Sequence, residues 1–130
     1  MIYTSVDKSR NMEVVNINRG DDGVLTVPLE YEDHTPYEMT DEEYLIFGVR
    51  EKPTEESELL LQIQSDPGTN KISFRHEDTA AMKVGEYSAD VQLMTRDAQR
   101  VTVWPKLTGT MRTSAMNYKN FCIMREVVDA

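Results

Sequence analysis

Between Gly85 and Thr95 hydrophobic and polar positions alternate. Tyr87, Ala89, Val91 and Leu93 fall on one side; Ser88, Asp90, Gln92 and Met94 fall on the other. A period of two marks a half-buried strand, because successive side chains on a pleated backbone point to opposite faces. Related patterns recur along the chain. MEVVNIN (12–18) is rich in β-formers. VLTVPLEYE (24–32) sets Leu25, Val27, Leu29 and Tyr31 on one face. Pro28 withholds a backbone donor there, which places this strand at a sheet edge or a bulge. YLIFGVRE (44–51) aligns Leu45, Phe47 and Val49, ELLLQIQS (58–65) aligns Leu59, Leu61 and Ile63, and KISFRH (71–76) aligns Ile72 and Phe74. RVTVWPKL (100–107) and FCIMREVV (121–128) complete the set.

Turn chemistry separates these runs. RGDDG (19–23), DPGTN (66–70) and RDAQ (96–99) are clusters of reversing residues. They imply three hairpins: 12–18 with 24–32, 58–65 with 71–76, and 86–95 with 100–107. Thr40 followed by Glu43 fits a capping box and one helical turn, and residues 78–85 fit a second short turn ended by Gly85. Residues 1–11 are polar and aperiodic and read as a loose arm. Residues 108–120 are polar and carry neither pattern. About eight strands with a turn signal roughly every ten residues favour an all-β sandwich or barrel over any α/β layout.

Composition narrows the class. The chain has 130 residues, enough for one domain spanning 1–130 with its own core. The net charge of −9 disfavours phosphate backbones and anionic membranes as partners. No apolar run has the length that spans a bilayer, and MIYTSVDKSRN lacks the apolar segment of a secretory signal. Cys122 is the sole cysteine, so no intrachain disulfide forms; within a strand it reads as a buried inert thiol. These features imply synthesis in a reducing compartment.

Reactive constellations are scarce. Arg19-Gly20-Asp21 spells an integrin-recognition tripeptide, but the same residues suit a hairpin turn. Glu30, Glu32, Asp33 and His34 are dense enough in oxygen and imidazole ligands to hold a metal ion, but lack the spacing of a known calcium loop, and read as an acidic solvated surface. His34 and His76 form no ligand pair, and His76 lies beside Glu77 and Asp78. There is no Gly-x-Ser-x-Gly and no phosphate-cradling glycine loop. The expectation is therefore a protein with no catalytic residues, no cofactor, no resident metal and no small-molecule substrate. Trp104 reads as core or interface packing, with a ligand-stacking platform as the alternative. The eight methionines suit irregular core gaps or adaptable interfaces.

Gly85-Glu86-Tyr87, preceded by Asp78-Thr79, is similar to the corner of immunoglobulin-like sandwiches, where a tyrosine hydroxyl returns to upstream backbone. Ala89 stands where an antibody domain has its disulfide cysteine, so this is not an antibody-type domain. Asp78, Thr79, Gly85 and Tyr87 are expected to form a structural corner between two sheets. The fold expected is an immunoglobulin-like antiparallel β-sandwich of about eight strands.

The order of features across residues 24–128 resembles the small β-sandwich domains of tailed-phage and prophage structural proteins from Gram-positive hosts, above all the N-terminal domain of baseplate upper proteins. That group leads from an Asp-Thr turn through a Gly-x-Tyr corner into an Asp-containing strand, then by a hairpin to a Thr-Val strand. Asp78-Thr79, Gly85-Glu86-Tyr87, Asp90 and Thr102-Val103 match those elements here. The resemblance implies a non-enzymatic assembly module of a tail or baseplate. It would be made in a bacterial host's cytoplasm, carried into the virion, and bound to other tail proteins and to copies of itself. Its contact surface is expected at Pro28, Trp104, Met111 and Met116. A carbohydrate- or surface-binding module, with Trp104 and tyrosines as platforms, is the second reading; a small hydrolase with a hidden site is the third.

Overall fold

The computed structural model describes residues 2–7, 12–31, 33–52, 58–105 and 119–125. Among them nine strands and one short helix follow in order: β1 (Ile2–Asp7), β2 (Met12–Asn18), β3 (Gly23–Thr26), β4 (Tyr44–Arg50), β5 (Leu59–Gln64), β6 (Lys71–Phe74), α1 (His76–Ala80), β7 (Gly85–Met94), β8 (Arg100–Trp104) and β9 (Phe121–Met124). Among the described residues the fold is all-β apart from that helix. Seven strands form one sheet in the order β1-β2-β9-β7-β4-β5, with β8 also beside β7, and β3-β6 form a separate pair. β6 runs near β5 and β3 near β1, so the pair lies against the larger sheet.

The core sits between these two layers. Leu45, Phe47 and Val49 of β4 and Tyr87, Ala89, Val91 and Leu93 of β7 point inward from the large sheet, as their alternation predicts. Leu25, Ile72 and Phe74 point back from the pair. Phe74 makes the junction: its ring packs edge-on to Phe47 at 5.3 Å and stacks with Phe121 at 6.1 Å.

Two pairings differ from those the turns implied, and so does the N-terminal segment. Residues 2–7 are a strand rather than a loose arm. Ile2, Thr4 and Val6 alternate over too short a run to stand out, but register opposite Ile17, Val15 and Glu13 of β2. Gly23 packs so close to Ile2 that a Cβ there would lie 2.8 Å from its Cγ2. The segments 12–18 and 24–32 are not a hairpin: β2 pairs with β1 and β9, and β3 with β6. Nor are 58–65 and 71–76, since β5 pairs with β4. Both turns carry the chain from one layer to the other. The Gly20 N–H donates to Thr79 Oγ1 (2.8 Å) and the Gly68 N–H to the Glu43 carbonyl (2.8 Å), each with the glycine at positive φ. A reversing sequence shows that the chain turns, not which sheet receives it. The third expected hairpin, β7 with β8, is present.

Two further differences concern register and direction. β2 and β9 run parallel, so the pairing is not antiparallel throughout. A bulge at Val49/Arg50 shifts β5 so that Leu59 stands opposite Arg50, 41 % exposed, instead of facing inward with Leu61 and Ile63. Residues 40–43 close a turn through the Glu43 N–H to the Thr40 carbonyl (3.0 Å) rather than a helix.

One edge of β7 is shared by two strands. β9 covers Gly85–Tyr87 and β8 covers Val91–Met94, which leaves Ala89 between them. Asn120 fills that gap. Its Oδ1 accepts from the Ala89 N–H at 2.7 Å and its Nδ2 donates to the Ala89 carbonyl at 2.9 Å. Its backbone N–H donates to Tyr87 O and its carbonyl accepts from Val15 N–H. Asn120 is fully buried. Asn120→Ala would strand two buried backbone groups and is expected to lower the unfolding free energy in urea by about 2–4 kcal/mol. Asn120→Asp, which keeps the acceptor but not the donor, is expected to be destabilising as well.

Candidate functional site

Asp78, Thr79, Gly85 and Tyr87 lie along the segment from α1 into β7. The Asp78 carboxylate accepts from the Arg75 N–H (2.7 Å) at the start of α1. Thr79, buried one residue on, receives the Gly20 N–H. Gly85 opens β7 opposite Ile123. The Tyr87 hydroxyl donates to the Lys83 carbonyl (2.5 Å), and burial pushes its pKa up. Each polar group is committed to backbone, so this corner is architecture rather than chemistry.

The other singled-out residues are also engaged. Arg19-Gly20-Asp21 is pinned by backbone bonds from Arg19 to Met124 O, from Gly20 to Thr79 and from Asp21 to Asn18 O, and all three residues are half-buried. It is not a displayed loop tip. In the acidic segment, His34 Nδ1 lies 3.3 Å from Glu30, while Asp33 accepts from the backbone and hydroxyl of Thr35. Those bonds hold the Asp33 carboxyl below its usual range. Glu32 lies outside the described residues. His76 Nδ1 meets the Gly20 carbonyl at 2.7 Å. The Cys122 thiol is half-buried, and burial, then Glu86, push its pKa up.

The expected contact residues divide. Pro28 is exposed beyond the end of β3. Trp104 is not a surface platform. It is 7 % exposed, stands opposite core-facing Val91, and donates its indole N–H to Glu13 at 2.9 Å. A bulge between Val91 and Gln92 brings Trp104 inward even though Thr102 faces out, which simple alternation cannot anticipate. Met111 and Met116 lie outside the described residues.

The open feature is a groove of about 500 Å³ between β5 and β6. Gln62, Gln64 and Ser65 form one wall, Lys71, Ser73 and Arg75 the other, with acids from Asp66 and α1 at its ends. Its described lining offers amides, hydroxyls and charges, but no imidazole or thiol. Register fixes what β5 presents. The Ser65 N–H donates to the Leu45 carbonyl (2.8 Å), so by antiparallel alternation Leu61 and Ile63 direct their backbone groups to β4. Gln62 and Gln64 direct theirs away from it, along an edge that no other described strand pairs with. Leu59 and Leu60, at 41 % and 38 % exposure, lie at the start of that edge. Sequence reasoning placed LLLQIQ in a strand but not at an edge; its freedom from charge between Glu58 and Asp66 was the available signal.

A second polar constellation lies at the turn before β4. The Glu43 carboxylate, 2 % exposed, accepts from the Tyr37 hydroxyl (2.7 and 2.9 Å) and the Thr40 N–H (3.0 Å). The Thr40 N–H, joined by the Tyr37 hydroxyl, holds the carboxyl below its usual range against the opposing effect of burial. The hydrogen bond to Glu43, joined by burial, pushes the Tyr37 phenol up to about 12. All these groups are satisfied, so the arrangement ties the 33–43 connection to the sheet rather than activating a proton.

No family model matches the chain, no curated protein matches it, and no solved structure matches it. Among the described residues, no helix is long and apolar enough to cross a membrane, and no group of three or more His, Cys, Asp or Glu is placed to hold a metal ion.

Glu43 and Tyr37 predict opposite ends of a pH profile. A carboxyl lowered in the fold contributes stability that is full above its unfolded pKa and fades as pH falls through the folded one. Glu43→Gln is expected to lower the melting temperature at neutral pH and to flatten its fall on acidification. A phenol raised in the fold contributes stability below its unfolded pKa of about 10, lost as pH rises through the folded value. Tyr37→Phe is expected to remove that alkaline loss. Melting curves across pH for the three proteins check both.

Proposed function

We propose that the chain is a non-enzymatic assembly module with an immunoglobulin-like sandwich, built into a phage or prophage tail or baseplate and acting through protein–protein contacts. Three features support the sandwich type: the separate β3-β6 layer, the tyrosine hydroxyl returned to backbone at the β6–β7 corner, and the long β7 at the centre of the larger sheet. The observation that carries the assembly reading is the β5 edge. Edge strands are ordinarily guarded by charge, proline or a covering element, because their open backbone groups template pairing with another chain. β5 has no charged residue and no proline from Leu59 to Gln64, and begins with two exposed leucines.

The carbohydrate-binding reading rests now on the polar groove rather than on Trp104, which is buried. Quantitative mass spectrometry of purified tail particles tests the first reading, which expects the protein in fixed stoichiometry with other tail proteins. Its absence from particles, together with glycan-array binding that Gln62→Ala and Gln64→Ala weaken, would favour the second.

A further inference from the structure

We propose that β5 is the seam of a symmetric dimer, with the β5 strands of two copies pairing antiparallel so that the large sheet runs on across both. The inference rests on the assembly reading and names the partner: a second copy of this chain.

Charge and register select that occupant. The chain carries −9, so most approaches of one copy to another set acid against acid. β5 is six uncharged residues in a chain that is 28 % charged, so two copies meet along it without that repulsion. The outward-pointing residues also define the pairing. A two-fold axis at Ile63 sets Gln62 opposite the partner's Gln64 and Gln64 opposite the partner's Gln62, so that the backbone groups left open by β4 bond each other. Ile63 then meets the partner's Ile63, an apolar pair on the core-facing side. In this register Asp66 stands opposite the partner's Leu60. A slip that centred the axis on Gln62 would set Asp66 against the partner's Glu58 and is disfavoured by like charge. The groove of about 500 Å³ lies along this side of β5. Lys71 and Arg75 on its far wall face the incoming acidic copy, with Asp66, Glu77 and Asp78 at its ends.

The test uses the full chain. Light scattering over a concentration series reads the mass, and amide hydrogen exchange reads the edge. The expected result is a dimer in which Gln62 and Gln64 amides become protected as concentration rises. Gln62→Pro removes an N–H that points away from β4, and edge positions tolerate proline. It is expected to weaken dimerisation roughly tenfold or more with circular dichroism unchanged. Gln62→Lys places a guarding charge at the same point without altering the backbone, and is expected to do likewise should the proline variant fail to fold. A protein monomeric at every concentration overturns the proposal. So does an oligomer whose mass is unchanged by Gln62→Lys and whose Gln62 and Gln64 amides exchange at one rate throughout. Particle composition is read separately, so a monomer found in tail particles defeats the dimer and leaves the assembly reading standing.

Discussion

The fold depends on how one edge of β7 is satisfied. β7 is the longest strand, and its neighbours on that edge, β8 and β9, leave Ala89 uncovered between them. A buried N–H and C=O without partners would cost several kilocalories per mole, on the order of the whole stability of a small domain. The Asn120 side chain supplies both a donor and an acceptor at the required spacing, so one amide stands in for a strand residue. Its backbone joins β2 and β7 at the same point. The parallel β2–β9 pair, the stacking of Phe121 on Phe74 and the joining of β1 and β2 to the rest of the sheet follow from that anchorage.

What was legible in the sequence was local. Alternation placed Leu45, Phe47, Val49, Ile72, Phe74, Tyr87 and Val91 in the core, because period two maps directly onto the faces of a strand. The β7–β8 hairpin was legible because its turn keeps both strands in one sheet. Long-range pairing was not. RGDDG and DPGTN have the chemistry of hairpin turns, but here that chemistry bridges layers, with Thr79 and the Glu43 carbonyl as the receiving groups. Bulges hid the rest. Each shifts parity, and so Trp104 went inward and Leu59 outward against the simple pattern.

The candidate site was the least legible part. Among the described residues β5 pairs with β4 alone, and no residue of LLLQIQ encodes that β6 turns to β3 instead. Meanwhile the residues that looked chemical are spent on structure. His76 and Asp22 fasten α1 to the β2–β3 turn, and Glu43 with Tyr37 fastens a connection to the sheet. These polar groups hold connections in place, while β5 presents an uncharged strand between Leu59 and Gln64.

The direct measurement of the central claim is the exchange rate of the Ala89 backbone amide. The Asn120 bridge predicts exchange as slow as the amides of Phe47 and Val91, through global unfolding alone. Exchange at Ala89 as fast as at an exposed turn would mean that no side chain closes the gap in β7, and would contradict the account.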